Sequence, residues 1–281
     1  MNSYRGDGMT TKAVLGWLAF AMATPCLAQT TPPPEEKSQI VVEGKAPAIQ
    51  DLPIRVNPNP NQPDRVESAS GISEARRFVR CMREINPKLL RQTIDRAAND
   101  IRARWSLDRL IRQGAACHGS MFHEPQPASP YYGDCNPIAG TKLCRSVFDR
   151  GVLFEYALAR FAADLQLTRD DLRQEQVRLR FLKRELPKVR MRTPDDQRYF
   201  DVVSCVVQLR PQESLELVRL PEGSPKEGRL EALLIASAPN CFGNAKKVTV
   251  DPNQFKLYIA EAVYNWAVAF RAVDSLVPDR S

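Results

Sequence analysis

The sequence predicts an all-α protein of two tandem helical repeats, each closed by a disulfide, behind a disordered Pro-rich N-terminal arm. Three observations carry this expectation. Apolar residues recur at helical spacing, no run alternates with period two for long enough to form a convincing sheet, and the folded part repeats itself at a fixed offset. In the first copy Phe78, Val79, Met82 and Ile85 share one helical face, with Cys81 beside it and Pro87 ending the run. Val202, Val203, Val206 and Leu209 repeat that spacing 124 residues later, with Cys205 and Pro211 in the same places.

Residues 1–28 read as a secretory signal. Lys12 precedes the apolar run Ala13 to Met22, and small residues near Ala28 suit cleavage; Met9 offers an alternative start. The run is too short to span a bilayer as a retained helix, and no later segment is long and apolar enough for a transmembrane segment. Export makes the six remaining cysteines disulfide partners. The full chain carries a net charge of +7. That mild excess permits an anionic envelope component as partner, and export argues against nucleic acid.

Residues 29–71 are Pro-rich, with eight prolines between Pro32 and Pro63. An extended, disordered linker is expected there. Within it QTTPPPEEKSQIVVEGKAP resembles the segment that follows the signal peptide in TonB-dependent outer-membrane receptors. The resemblance implies a TonB-like contact through Ile40, Val41 and Val42, added as a strand to a partner sheet.

Repeat 1 is expected over 72–168, with an inserted loop at 118–145. The offset of 124 places Cys117 on Cys241 and Leu110 on Leu234. After those cysteines it shrinks to 106, so that Asp149 to Leu158 matches Phe255 to Tyr264 and Glu155 falls on Glu261. The insertion contains Cys135 and Cys144, which have no counterparts in repeat 2. A basic connecting helix is expected over 169–197, opening at Thr168 to Asp171 and stopping at Pro187. Repeat 2 occupies 198–281, with helix starts at Ser224-Pro225-Lys226-Glu227 and Asp251-Pro252-Asn253-Gln254. Three helices are expected per copy. This layout of signal, linker and two cysteine-bearing helical units resembles uncharacterised exported proteins of alphaproteobacteria; it implies no known activity.

Equivalent cysteines in two copies should make equivalent bonds. Cys81 with Cys117, Cys205 with Cys241 and the leftover Cys135 with Cys144 are therefore expected, a swap such as Cys81 with Cys205 being the alternative. The stretch QGAACHGSMFH, Gln113 to His123, sets Cys117 beside His118, with His123 five residues on. Covalent haem attachment requires a cysteine where Gly114 stands, and zinc prefers three or four protein ligands, for which the nearest candidates beside His118 and His123 are only Glu124 and Asp134. No cofactor and no metal are expected.

No GxSxG, HExxH or phosphate-cradling loop is present. The leading expectation is a non-enzymatic binding or scaffold module, periplasmic or secreted, with the Cys117–Cys144 loop and its His118, His123, Tyr131 and Tyr132 as the candidate surface. Its partner would be a protein or an anionic envelope component. The alternative is a small periplasmic hydrolase using His118 and His123, or Glu155 and Glu261 as paired carboxylates. Recurrence of those glutamates at one helical position favours a structural ion pair or cap within each copy.

Overall fold

The computed structural model describes residues 63–118, 132–138, 141–243 and 250–279, and its helices fall into two matching sets. The first set is α1 (Pro63–Cys81), α2 (Pro87–Ile94), α3 (Ile101–Gln113) and, after a 3-10 turn at Ala115–Cys117 and the hairpin β1 (Tyr132–Ile138) and β2 (Thr141–Ser146), α4 (Val147–Phe161). Two linking helices come next, α5 (Arg169–Arg173) and α6 (Glu175–Val189). The second set is α7 (Pro194–Leu209), α8 (Pro211–Arg219), α9 (Glu227–Ser237), a 3-10 turn at Pro239–Phe242 and α10 (Pro252–Arg271). The expected helical fold and its duplication are thus present, with four helices per copy among the described residues where three were expected. The reason lies in Pro87 and Pro211. Pro211 opens α8 one residue after the end of α7, whereas α1 has already ended at Cys81, ahead of the expected stop at Pro87, and residues 82–86 separate it from α2. Both prolines sit in a first turn, where the missing N–H costs nothing.

Polar side chains fix most helix starts. Asn86 caps α2, Asp100 caps α3, and Ser146 with Asp149 forms a capping box on α4. Thr168 with Asp171 repeats that box on α5, and Asp251 accepts from the Gln254 N–H ahead of α10, as the sequence suggests. Ser224 behaves otherwise. A backbone turn from the Glu227 N–H to the Ser224 carbonyl precedes α9, which starts after Lys226 without a side-chain cap.

Three boundaries move. α1 begins at Pro63, inside the expected linker, where a first-turn proline is well placed. The expected connecting helix is two helices broken at the extended residue Gln174 (ψ 128°), and α7 already begins at Pro194. α6 also runs past Pro187 to Val189, without the i→i−4 bond that a residue bearing an N–H would make there. Within the inserted segment, β1 and β2 form one antiparallel two-stranded sheet. Its strands are too short for a period-two signal, and Pro137 is tolerated because both strands are edges.

The disulfides Cys81–Cys117 and Cys205–Cys241 are formed, both with Cα atoms 5.6 Å apart and a separation of 36 residues. The cross-copy swap is thereby excluded. Cys135 and Cys144 stand opposite each other in the hairpin register, while their side chains lie outside the described ones.

Both copies share one continuous core, centred on α4 packed against α10. α10 is buried on almost every side from Phe255 to Ala269 and touches α1, α4 and α5 to α9. Close approach of the two central helices requires Gly151, where a Cβ would stand 2.7 Å from the Leu257 side chain. A cation on each central helix reaches the end of the second helix in its own copy. Arg150 donates to the Thr93 and Arg96 carbonyls at 3.1 and 2.7 Å, and Lys256 donates to the Leu220 carbonyl at 3.1 Å. Arg150 matches Lys256 and Arg96 matches Leu220 under the two repeat offsets. The duplication therefore extends to a helix C-terminus capped by positive charge.

Each disulfide closes a loop worth about 3 to 4 kcal/mol in the chain-entropy model. Cys205→Ser/Cys241→Ser should lower the thermal midpoint by several degrees, and dithiothreitol should do the same to the wild-type protein. A midpoint insensitive to both would contradict the pinning role.

Candidate functional site

Of the residues singled out in the inserted loop, His118 lies elsewhere than expected. Its side chain is only 4 % exposed, stands edge-on to Phe78 at 5.0 Å, and places Nε2 3.4 Å from the Asp149 carboxylate. The Cys81–Cys117 bond carries it to the end of α1, and the first turn of α4 supplies its carboxylate. It is a buried residue of the core, not part of an exposed binding loop. His123 and Tyr131 lie outside the described residues, as do Ile40, Val41 and Val42. Tyr132 opens β1 opposite Ser146, and its side chain is also outside the described ones.

The matched glutamates are both held by arginine. Glu155 accepts two hydrogen bonds from Arg76, at 3.0 and 2.8 Å, joining α4 to α1 within the first copy. Glu261 accepts from Arg150 at 2.9 Å and from Arg192 at 2.7 Å. The expected ion pair within each copy thus holds for Glu155, whereas Glu261 ties α10 to a cation of the other copy. Burial opposes the charge on Glu261, but Arg150 and Arg192 overcome it and hold the carboxyl down to about 2. The same carboxylate neighbours outweigh burial at Arg192 and raise its pKa.

These contacts belong to a longer polar chain between the copies. Arg192 pairs with Asp196 at 3.2 Å, and Asp196 accepts from the Tyr258 hydroxyl at 2.9 Å. Lys188 pairs with Glu185 at 2.6 Å, and both Lys188 and Arg184 reach Asn265 on α10. Arg184 continues to Asp95 at 2.6 Å, where the Tyr264 hydroxyl also donates. Burial lowers the Lys188 ammonium to about 8 despite the attraction of Glu185.

Two concavities adjoin this chain. A cleft of about 490 Å³ between the copies is walled by Phe148, Arg150, Thr193, Asp196, Tyr258 and Glu261. Its carboxylates are both engaged by arginine, and Glu155 does not line it, so no pair of carboxylates is poised for acid–base work. Among the described residues, no cluster of three or more His, Cys, Asp or Glu side chains could hold a metal ion.

The second concavity, about 300 Å³, runs between α6 and α7. Its aromatic wall is a stack in which Phe181 lies 3.9 Å from Trp266 and 6.5 Å from Phe200. α6 turns Val177, Phe181, Glu185 and Lys188 inward. Its opposite face carries Leu179, Leu182, Leu186 and Val189, with Met191 just beyond; all five are between 42 % and 65 % exposed. Five large apolar side chains on one surface strip exceed the isolated examples normal for a protein surface. Reading the sequence as a basic helix overlooked this ridge. Its 3-4-3 spacing was visible at Leu179, Leu182, Leu186 and Val189, but Val177 and Phe181 could equally have marked the buried face.

Glu261→Gln should cost about 3 kcal/mol or more, because it leaves two buried arginines without their carboxylate. Wild-type stability from Glu261 is present above its unfolded value of 4.5 and lost as pH falls towards 2. Acid titration of the variant should lack that part of the decline. Lys188 acts in the alkaline range. The unfolded chain binds its proton more readily between about 8 and 10.5, so stability rises with pH there, and Lys188→Met should flatten the rise in denaturant melts.

No family model, curated protein or solved structure matches this chain.

Proposed function

We propose that this protein is a non-enzymatic binding or scaffold module acting outside the cytoplasm, in the periplasm or secreted. The observation that carries the reading is the exposed apolar ridge of α6, held on a body whose buried charges pair with one another. An apolar strip on a disulfide-pinned helical framework offers contact area that needs no ordering on binding. Two formed disulfides support an oxidising compartment. Among the described residues no helix is long and apolar enough to cross a membrane.

The described candidate groups of the hydrolase alternative lend it no support. Glu261 is held ionised by two arginines, Glu155 is bonded by Arg76 away from the inter-copy cleft, and His118 is buried against Asp149. A general acid needs a proton to give near neutral pH, and a carboxyl held at about 2 has none.

A crosslinking pull-down from the cell envelope tests the proposal. Leu182→Ser/Leu186→Ser should lose a partner that the wild-type protein retains, while its circular dichroism and thermal midpoint stay unchanged because both side chains are exposed. Deletion of Glu124 to Tyr132 is the matched comparison for the inserted loop. Loss of the partner only in the deletion would move the working surface from the ridge to the loop.

A further inference from the structure

We infer that the α6 ridge, together with the α6–α7 groove, docks an acidic amphipathic helix of a partner protein. The inference rests on the ridge being the binding surface, and it goes further by assigning the chemistry of the occupant. Leu179, Leu182, Leu186 and Val189 are spaced 3-4-3, the spacing at which one helix seats its apolar seam against another. In this register Lys183 and Arg190 stand just after the seam on one side, and Arg178 and Glu185 precede it on the other; the three cations are exposed, whereas Glu185 is buried and paired with Lys188 at 2.6 Å. A partner helix meets those positions with its own flanks, so acidic flanks are attracted and basic flanks repelled.

A second copy of this chain is a poor occupant for the same reason. Antiparallel self-pairing along the seam sets Lys183 and Arg190 of one copy beside Arg190 and Lys183 of the other. Parallel pairing sets Arg178 beside Lys183. Either register brings exposed like charges together around the apolar contact, and Glu185, which parallel pairing sets near Arg190, is already buried against Lys188.

The shape of the site favours a helix over a lipid surface. The groove between α6 and α7 is a concavity walled by Phe181, Leu182, Leu186 and Val189, which takes a rod-shaped apolar seam and not a flat bilayer. Concavity and basic rim fit one occupant, a helix with leucine-type residues on its seam and Glu or Asp beside it.

The test uses the full-length mature protein and two synthetic helical probes about three heptads long. Both carry leucine on the seam; one has glutamate on the flanks and the other lysine, which also keeps each probe from pairing with itself. Fluorescence anisotropy should show the glutamate probe binding and the lysine probe not binding. Lys183→Glu/Arg190→Glu should weaken the glutamate probe by about tenfold and admit the lysine probe, because two rim charges reverse while the ridge is kept. Leu182→Ser/Leu186→Ser should abolish binding of the glutamate probe. The assignment is overturned if the two probes bind alike or if charge reversal leaves the glutamate probe unchanged. It is equally overturned if sedimentation shows a dimer that the leucine variant dissociates, or if the protein floats with phosphatidylglycerol vesicles through those leucines. Charge-insensitive binding that still needs Leu182 and Leu186 would defeat the acidic partner while leaving the ridge as the binding surface.

Discussion

A carboxylate on the most buried helix of a protein needs cations brought to it, and Glu261 makes that demand on this fold. α10 is apolar around most of its circumference, so the groups that neutralise Glu261 come from elsewhere in the chain. Arg150 arrives from the central helix of the first copy, and Arg192 from the segment leading into the second. Because the bonds to Glu261 are short and the group is 5 % exposed, losing either cation leaves charge with little water to screen it. This places α4 against α10, and it places the end of α6 against both. The two copies consequently cannot separate as independent domains without exposing this polar cluster.

Arg150 has a second duty that ties duplication to packing. With its other nitrogens it bonds the Thr93 and Arg96 carbonyls at the end of α2, and Lys256 makes the corresponding bond to Leu220 at the end of α8. One geometric solution, a cation on the central helix facing the negative end of a neighbouring helix, is therefore used twice. The arginine's planar fork spans the helix end and Glu261 together. Lys256 finds its carboxylate at Glu227 instead, at 3.3 Å and within its own copy. The asymmetry comes from the residue type: a guanidinium can bridge the copies, and an ammonium at the matching position serves one of them.

Much of this architecture was legible in the sequence because duplication turns weak signals into paired ones. Cys81 and Cys205 share a helical context, and so do Cys117 and Cys241, which is how six cysteines yielded the two observed bonds. Features that duplication does not touch were read less well. Pro87 and Pro211 look like stops, and their role as first-turn residues depends on the helical runs of α2 and α8 that they open. His118 looked like a loop residue because its partner, Asp149, is 31 positions away and meets it only once α4 is packed. The ridge escaped notice for a related reason. Leu179 to Val189 and Val177 to Phe181 both carry helical spacing, and only the position of α10 decides which stripe turns inward.

The outward stripe falls where the architecture leaves room for it. Among the helices that exist twice, α1, α2 and α4 pack as α7, α8 and α10 do and contribute their apolar faces to the common core. Segments without a counterpart lie outside that pairing. They are the insertion that ends in the β1–β2 hairpin and the link from α5 to α6. Of these, α6 is anchored on its inner face by Phe181 against Trp266 and by Lys188 and Arg184 on Asn265. An anchor of that kind fixes the rotation of the helix, so Leu179, Leu182, Leu186 and Val189 cannot roll inward to hide from water. Their exposure is then a property of a rigid element, and hydrophobic area held in water by the rest of the fold is free energy available to a partner.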